Sequence, residues 1–189
     1  MNRRQTLSAV IACTTPLSLV STARAASKEE ERADVKKMVQ ETLSKLYAVQ
    51  PLARKAVESS AGYAVFSNFG MKIFVAGGGS GEGLAVDRKT KAETFMKMVE
   101  VQTGLGFGVK KFRLVWVFEQ QKLLSGFVNS GWEFAAQATA AAKTGDKGKA
   151  FAGAVSVQPG IWLYQLTEDG LAAELTVKGT KYYKDKDLN

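Results

Sequence analysis

The sequence predicts an α+β domain in which N-terminal amphipathic helices pack on a curved, largely antiparallel β-sheet that approaches a barrel. Three observations carry this expectation. Val35, Met38, Val39, Leu43, Leu46 and Tyr47 recur at three- and four-residue steps, the period of one helical face, while Arg32, Lys36, Lys37 and Lys45 lie off that stripe. From Tyr63 onward the chain changes to short runs rich in aromatic and β-branched residues punctuated by glycine, the pattern of strands. Near the end, Glu168-Asp169-Gly170 separates Ile161–Thr167 from Leu171–Val177, and its Asp-Gly supplies the positive backbone angle of a tight hairpin.

The first helix is expected to start at Ser27, because Ser27 and Glu30 form a capping box and Glu29, Glu30, Glu31 and Asp34 favour the positive end of the helix dipole. Pro51 suits the first turn of a shorter second helix carrying Leu52, Ala53, Ala56 and Val57, with Gly62 as terminator; the two occupy residues 27–60. Strands are expected at Tyr63–Ser67, Lys72–Ala76, Leu84–Asp87 and Glu93–Val101, with Asp87-Arg88-Lys89-Thr90-Lys91 as a polar hairpin loop between the last two. In Val109–Phe118 the series Phe112, Leu114, Trp116, Phe118 alternates with Arg113, Val115 and Val117, so one bulky aromatic face is expected to be buried. Gln120–Val128 fits a short helix. Phe134–Lys143 fits a helix by its alanine content or a strand of small residues against a crowded neighbour, and the sequence leaves both open.

Residues 1–25 read as a cleavable export signal. Arg3 and Arg4 precede an apolar run from Leu7 to Val20, and Ala23 and Ala25 fit the small-residue positions of a signal peptidase site, so the mature chain is expected to begin at Ala26. The run is shorter than the roughly 20 apolar residues of a membrane span and is broken by Pro16. Arg3-Arg4 also resembles a twin-arginine signal, and Val10-Ile11-Ala12-Cys13 spells a lipobox-like alternative in which Cys13 is lipidated. Residues 26–189 then form one domain, without a thiol for a disulfide, placed in the periplasm or cell envelope. Removal of Arg3, Arg4 and Arg24 lowers the net charge from +8 to +5, which still favours anionic lipid or polysaccharide over nucleic acid in that compartment.

The residue inventory argues against an enzyme. The chain holds no His and, after processing, no thiol, and no Ser or Thr sits in a nucleophile motif. Soft metal ligands are missing, and Glu29-Glu30-Glu31 reads as a helix-start charge run, so neither metal nor cofactor is expected. Gly77-Gly78-Gly79-Ser80-Gly81-Glu82-Gly83 lacks the Gly-Lys-Ser/Thr of a nucleotide loop and the G-x-G-x-x-G spacing; its glycines are expected to permit a bend or bulge and close backbone approach, and Gly104, Gly106 and Gly108 to act as packing glycines. The candidate binding residues are basic: Lys36 and Lys37 on the first helix, Arg88, Lys89 and Lys91 on the hairpin loop, and Lys110, Lys111 and Arg113 on the following strand. Antiparallel neighbours are expected to gather the last two groups, and each charge near an anionic membrane contributes up to about 1 kcal/mol.

Ala61-Gly62-Tyr63-Ala64-Val65-Phe66, the glycine-rich turn at Gly78–Gly83, Gln102-Thr103-Gly104 with Gly106 and Gly108, the strand Val115-Trp116-Val117-Phe118 and the closing hairpin Tyr164–Leu171 follow one another along the chain. In this order they resemble the SYLF family, a lipid-binding domain of yeast actin-patch proteins, animal phosphoinositide adaptors and bacterial exported proteins. The similarity runs from about Ala61 to Tyr183. The resemblance implies binding of anionic phospholipid by peripheral association, helped by an amphipathic helix, here Ser27–Val49; export sets actin aside as a partner. A structural or protein-interaction domain of the envelope without a lipid ligand is the alternative.

Overall fold

A computed structural model describes residues 18–73, 76–103, 108–134, 151–168, 170–171 and 179–189. The export signal up to residue 17 with Cys13, the segment containing Gly104 and Gly106, most of the Ala-rich stretch and residues 172–177 of the last expected strand lie outside them. Helix α1 spans Ser18–Val49 and is followed by α2, Pro51–Ser59, with Pro51 in the first turn. Gln50 stands between them outside the helical region (φ −140°, ψ 85°), which the ring of the following proline disfavours, and its N–H still donates to the Leu46 carbonyl at 2.8 Å. Ser27 lies inside α1 rather than capping it. Ala23, Ala25 and Ala26 are strong helix formers, so nothing in the local chemistry stops the helix at Ser27.

The apolar stripe of α1 faces the sheet. Val35, Val39 and Leu46 are buried, and Met38, Leu43 and Tyr47 pack beside them. Helical periodicity suits a membrane face as well as a core face, and the fold assigns this stripe to the core.

The sheet is antiparallel throughout its described pairs and curls into a half-barrel. Its long strands are β1 (Gly62–Ile73), β2 (Ala76–Asp87), β3 (Glu93–Thr103) and β4 (Gly108–Phe118). Helix α3 (Gln121–Ser130) follows, then β5 (Trp132–Phe134), β6 (Val155–Gln158), β7 (Ile161–Thr167), β8 (Gly170–Leu171) and β9 (Thr180–Lys184). The order across the sheet is β5-β9-β3-β2-β1-β4-β7-β6, with β8 paired to β7. At the β7–β8 turn Gly170 has φ +128°, the angle expected of the Asp-Gly pair.

The expected break between Tyr63–Ser67 and the strand from Lys72 is absent, since β1 runs continuously from Gly62 to Ile73, and Ala76 already belongs to β2. The glycine run is likewise neither a turn nor a bulge. It forms the middle of β2, in unbroken register with β1 and β3, so that Gly83 lies opposite Phe66 on one side and Met96 on the other. Close approach is what the glycines serve. A Cβ at Gly83 would stand 2.3 Å from the Val65 carbonyl oxygen and 2.4 Å from the Phe66 ring. At Gly81 it would meet the Ser67 carbonyl oxygen at 2.2 Å and Met98 at 2.8 Å. Bare backbone here lets side chains of β1 and β3 meet across β2: the Asn68 amide donates to the buried Glu100 carboxylate at 2.6 Å.

Both faces of the sheet carry a core. On one side Val65, Leu84, Phe95, Val115, Val117, Trp162 and Tyr164 pack under α1 and α2. On the other, Phe66, Leu114, Trp116, Phe118 and Tyr182 surround Phe127 of α3, with ring centroids 5.0 Å (Phe118), 5.2 Å (Tyr182) and 5.8 Å (Trp116) from it. The single buried face expected for β4 is therefore too few: Val115 and Val117 are as buried as Leu114 and Trp116, because a central strand is covered from above and below.

Candidate functional site

Helix α1 crosses its side of the sheet obliquely. Near its middle, Arg32 donates to the Leu188 carbonyl at 2.8 Å; next, Lys36 pairs with Glu93 of β3 at 2.6 Å. Further along, Glu41 and Thr42 meet Arg113 of β4, and Lys45 reaches the end of β7. Where the C-terminal half of α1 passes over β4 and β7, a cleft of about 530 Å³ remains, lined by Glu41, Lys45, Ser67, Lys111, Arg113 and Glu168, among others.

Strand alternation places Lys111 and Arg113 on the α1 side of β4, in the same series as buried Val115 and Val117. Arg113 is oriented from above. Its guanidinium donates to Thr42 Oγ1 at 3.1 Å and, more loosely, to Glu41 Oε2 at 3.4 Å. Thr42 is itself buried, and its hydroxyl donates to the Met38 carbonyl at 2.7 Å, which leaves its lone pairs for Arg113. Lys45 is held by neutral acceptors: Nζ donates to the Thr167 and Glu168 carbonyls at 2.8 and 3.1 Å. Carbonyl oxygens position an ammonium without neutralising it, so Lys45 presents its full charge at the cleft.

The other predicted residues do not join this cleft. Gly62 of β1 lies opposite both Asp87 of β2 and Phe118 of β4, whereas Ser67 lies opposite Arg113 and Phe69 opposite Lys111. The hairpin cations therefore lie at the Phe118 end of the sheet, about 17 Å of strand from Arg113. The expected gathering of the two groups fails because β1 separates β2 from β4. Asp87 Oδ1 accepts the Lys89 and Thr90 N–H groups at 2.9 and 3.0 Å and shapes that hairpin, in which Arg88 is half-buried and Lys89 and Lys91 are exposed. Lys36 is bound to Glu93 nearby, Lys37 is exposed on α1, and Lys110 occupies the β4 position opposite Gly70. Lys45 was the residue missed. Its signal was present, since Lys37, Glu41 and Lys45 follow one another at four-residue steps along one flank of the helix.

The opposite half of the α1 side is acidic. Burial, then the nearby charges of Asp34, Glu31 and Asp185, push the Glu82 carboxyl up from its ordinary value, against the pull of Lys97. Burial also pushes Asp185 up, but the Asp187 N–H and Lys97, 3.0 Å away, outweigh it and hold that carboxyl below its ordinary value. Among the described residues, no group of three or more His, Cys, Asp or Glu side chains is placed to hold a metal ion, and no helix is long and apolar enough to cross a membrane.

No protein-family model matches the chain. It is 32% identical over 161 residues to Beta cell expansion factor A of Aeromonas veronii, an alignment covering 85% of this chain and 59% of that protein. The chain thus spans less than two thirds of that relative's length.

Proposed function

We propose that this chain is a SYLF-type lipid-binding protein of the bacterial envelope, which binds anionic phospholipid without chemical turnover and receives a headgroup phosphate in the cleft between α1 and β4. The convergence of Lys45, Lys111 and Arg113 on one cleft carries this reading. A fork-shaped guanidinium oriented by Thr42 and Glu41, beside an ammonium held by two carbonyl oxygens, is a donor set suited to a phosphate. The segments that resemble the SYLF family, in their order along the chain, support the same reading. Export by residues 1–25 places the mature domain where phosphatidylglycerol and cardiolipin are the anionic lipids to hand.

Flotation of the full chain with vesicles tests it. Binding is expected to phosphatidylglycerol or cardiolipin vesicles at low salt, to weaken as salt rises, and to be negligible for phosphatidylcholine; no binding to any vesicle sinks the proposal. Replacing Lys45 and Lys111 by Gln should weaken binding about ten- to thirtyfold, at roughly 1 kcal/mol per lost charge. A larger loss from the same change at Lys89 and Lys91 would move the site to the hairpin.

A further inference from the structure

We infer that the corner between α1 and α2 is the element that enters the bilayer once the cleft has engaged a headgroup; this rests on the lipid-binding reading above. The stripe of α1 is buried under the sheet's own side chains, so it cannot also face acyl chains in this fold. Among the described residues, the most exposed large hydrophobic side chains are instead Val49 at 45% and Leu52 at 42%. They stand on either side of Gln50 and Pro51, and Ala48 and Pro51 are exposed with them. Four of five consecutive positions at this corner therefore show apolar surface to solvent.

Charge decides which partner such a surface fits. Lys45 precedes Val49 by four residues, one helical turn, and lines the cleft; Lys55 follows Leu52 by three and is exposed. A small apolar knuckle with a lysine one turn away on each side matches the layering of an anionic leaflet, with phosphates above and hydrocarbon below. Arg54 lies 4.5 Å over the Tyr47 ring and 3.6 Å from Glu58, so it braces the corner from the side. The other exposed pair, Val99 and Tyr183, is placed differently: it flanks Lys97, whose charge is already matched by Asp185 and Asp187. A protein partner would call for a broader apolar patch than this corner offers.

The test uses the full chain with phosphatidylglycerol vesicles. Val49→Ser with Leu52→Ser is expected to weaken partitioning about tenfold, a loss that persists at high salt, where the charge contribution is screened. Both side chains are exposed, so the thermal unfolding midpoint should stay at its original value. In a Cys13→Ser background, which removes the only native thiol, a polarity-sensitive dye on Leu52→Cys should shift to the blue on vesicle addition and be quenched by brominated acyl chains. The same dye on Asn129→Cys, in α3 on the other side of the sheet, should do neither. If vesicles bind while the dye at position 52 is unmoved or the serine pair binds undiminished, the corner is not the inserted element and the lipid-binding reading stands. If the unaltered chain floats with no vesicle, both are overturned together.

Discussion

Tyr47 and Tyr164 show how a single side chain reports its surroundings. Burial pushes the Tyr47 hydroxyl up to about 12, and burial with the neighbouring Tyr47 does the same to Tyr164. Tyr47 projects from α1 and Tyr164 from β7 into the core between the helices and the sheet, where an ionised phenolate would have little solvation. In the unfolded chain they ionise near the ordinary tyrosine value of 10.0. Because the folded value is raised, their contribution to stability is complete below pH 10 and is lost as pH rises through about 12. A spectrophotometric titration should therefore show phenolate absorbance from exposed tyrosines first, with the rest appearing only as the fold gives way. Full ionisation of all tyrosines near pH 10 with native circular dichroism would contradict the packing of these two rings.

The most instructive element is β2, because five of its residues from Gly77 to Gly83 carry no side chain and yet it lies in the centre of the sheet. Glycine in a strand weakens it through backbone entropy, and that cost is accepted here because the Phe66 ring and Met98 occupy the space where a Cβ would be. Gly83→Ala should destabilise the protein by about 1–3 kcal/mol through overpacking. The blocking atom at 2.3 Å is the Val65 backbone carbonyl, which cannot rotate away. Gly126 in α3 is the matched control, since a Cβ there meets nothing within 4 Å. Gly126→Ala should raise stability by about 0.5–1 kcal/mol through helix propensity alone. Urea unfolding of the two variants gives both signs in one experiment; equal effects would mean that close approach is not what β2 requires.

At the scale of the whole molecule, the C-terminal residues hold α1 to the sheet. Asn189 pairs through its amide with both the N–H and the carbonyl of Phe95, at 3.0 and 2.8 Å, and so mimics an added strand residue at the start of β3. Leu188 is buried, and its carbonyl accepts from Arg32 of α1. The chain is thereby closed through contacts between residues more than 150 positions apart. Leu188→Ala should cost about 2 kcal/mol, read as a lower urea midpoint. This strap sits at the acidic end, beside Asp185 and Lys97, while the basic cleft lies toward the other end of α1.

How much of this was legible beforehand follows from the range of the forces involved. Periodicity and turn chemistry act over a few residues, so the amphipathic stripe of α1, the Pro51 start of α2, the Asp87–Lys91 hairpin, α3 and the Asp-Gly turn could all be read from the chain alone. The α+β class follows from their order. The basic residues could be named in the same way, and Lys111 and Arg113 do line the cleft. Their grouping could not be read, because it depends on β1 lying between β2 and β4, a matter of strand order to which no local pattern is sensitive. For the same reason the glycine run looked like a bend or bulge: strand propensity expresses contact with neighbours, and only the assembled sheet shows that Phe66 and Met98 supply what β2 lacks. Sequence by itself determined which faces are apolar and which residues are charged. Tertiary structure alone decided that the stripe of α1 belongs to the core, which charges share a cleft, and that the apolar surface left to solvent is a corner rather than a helix face.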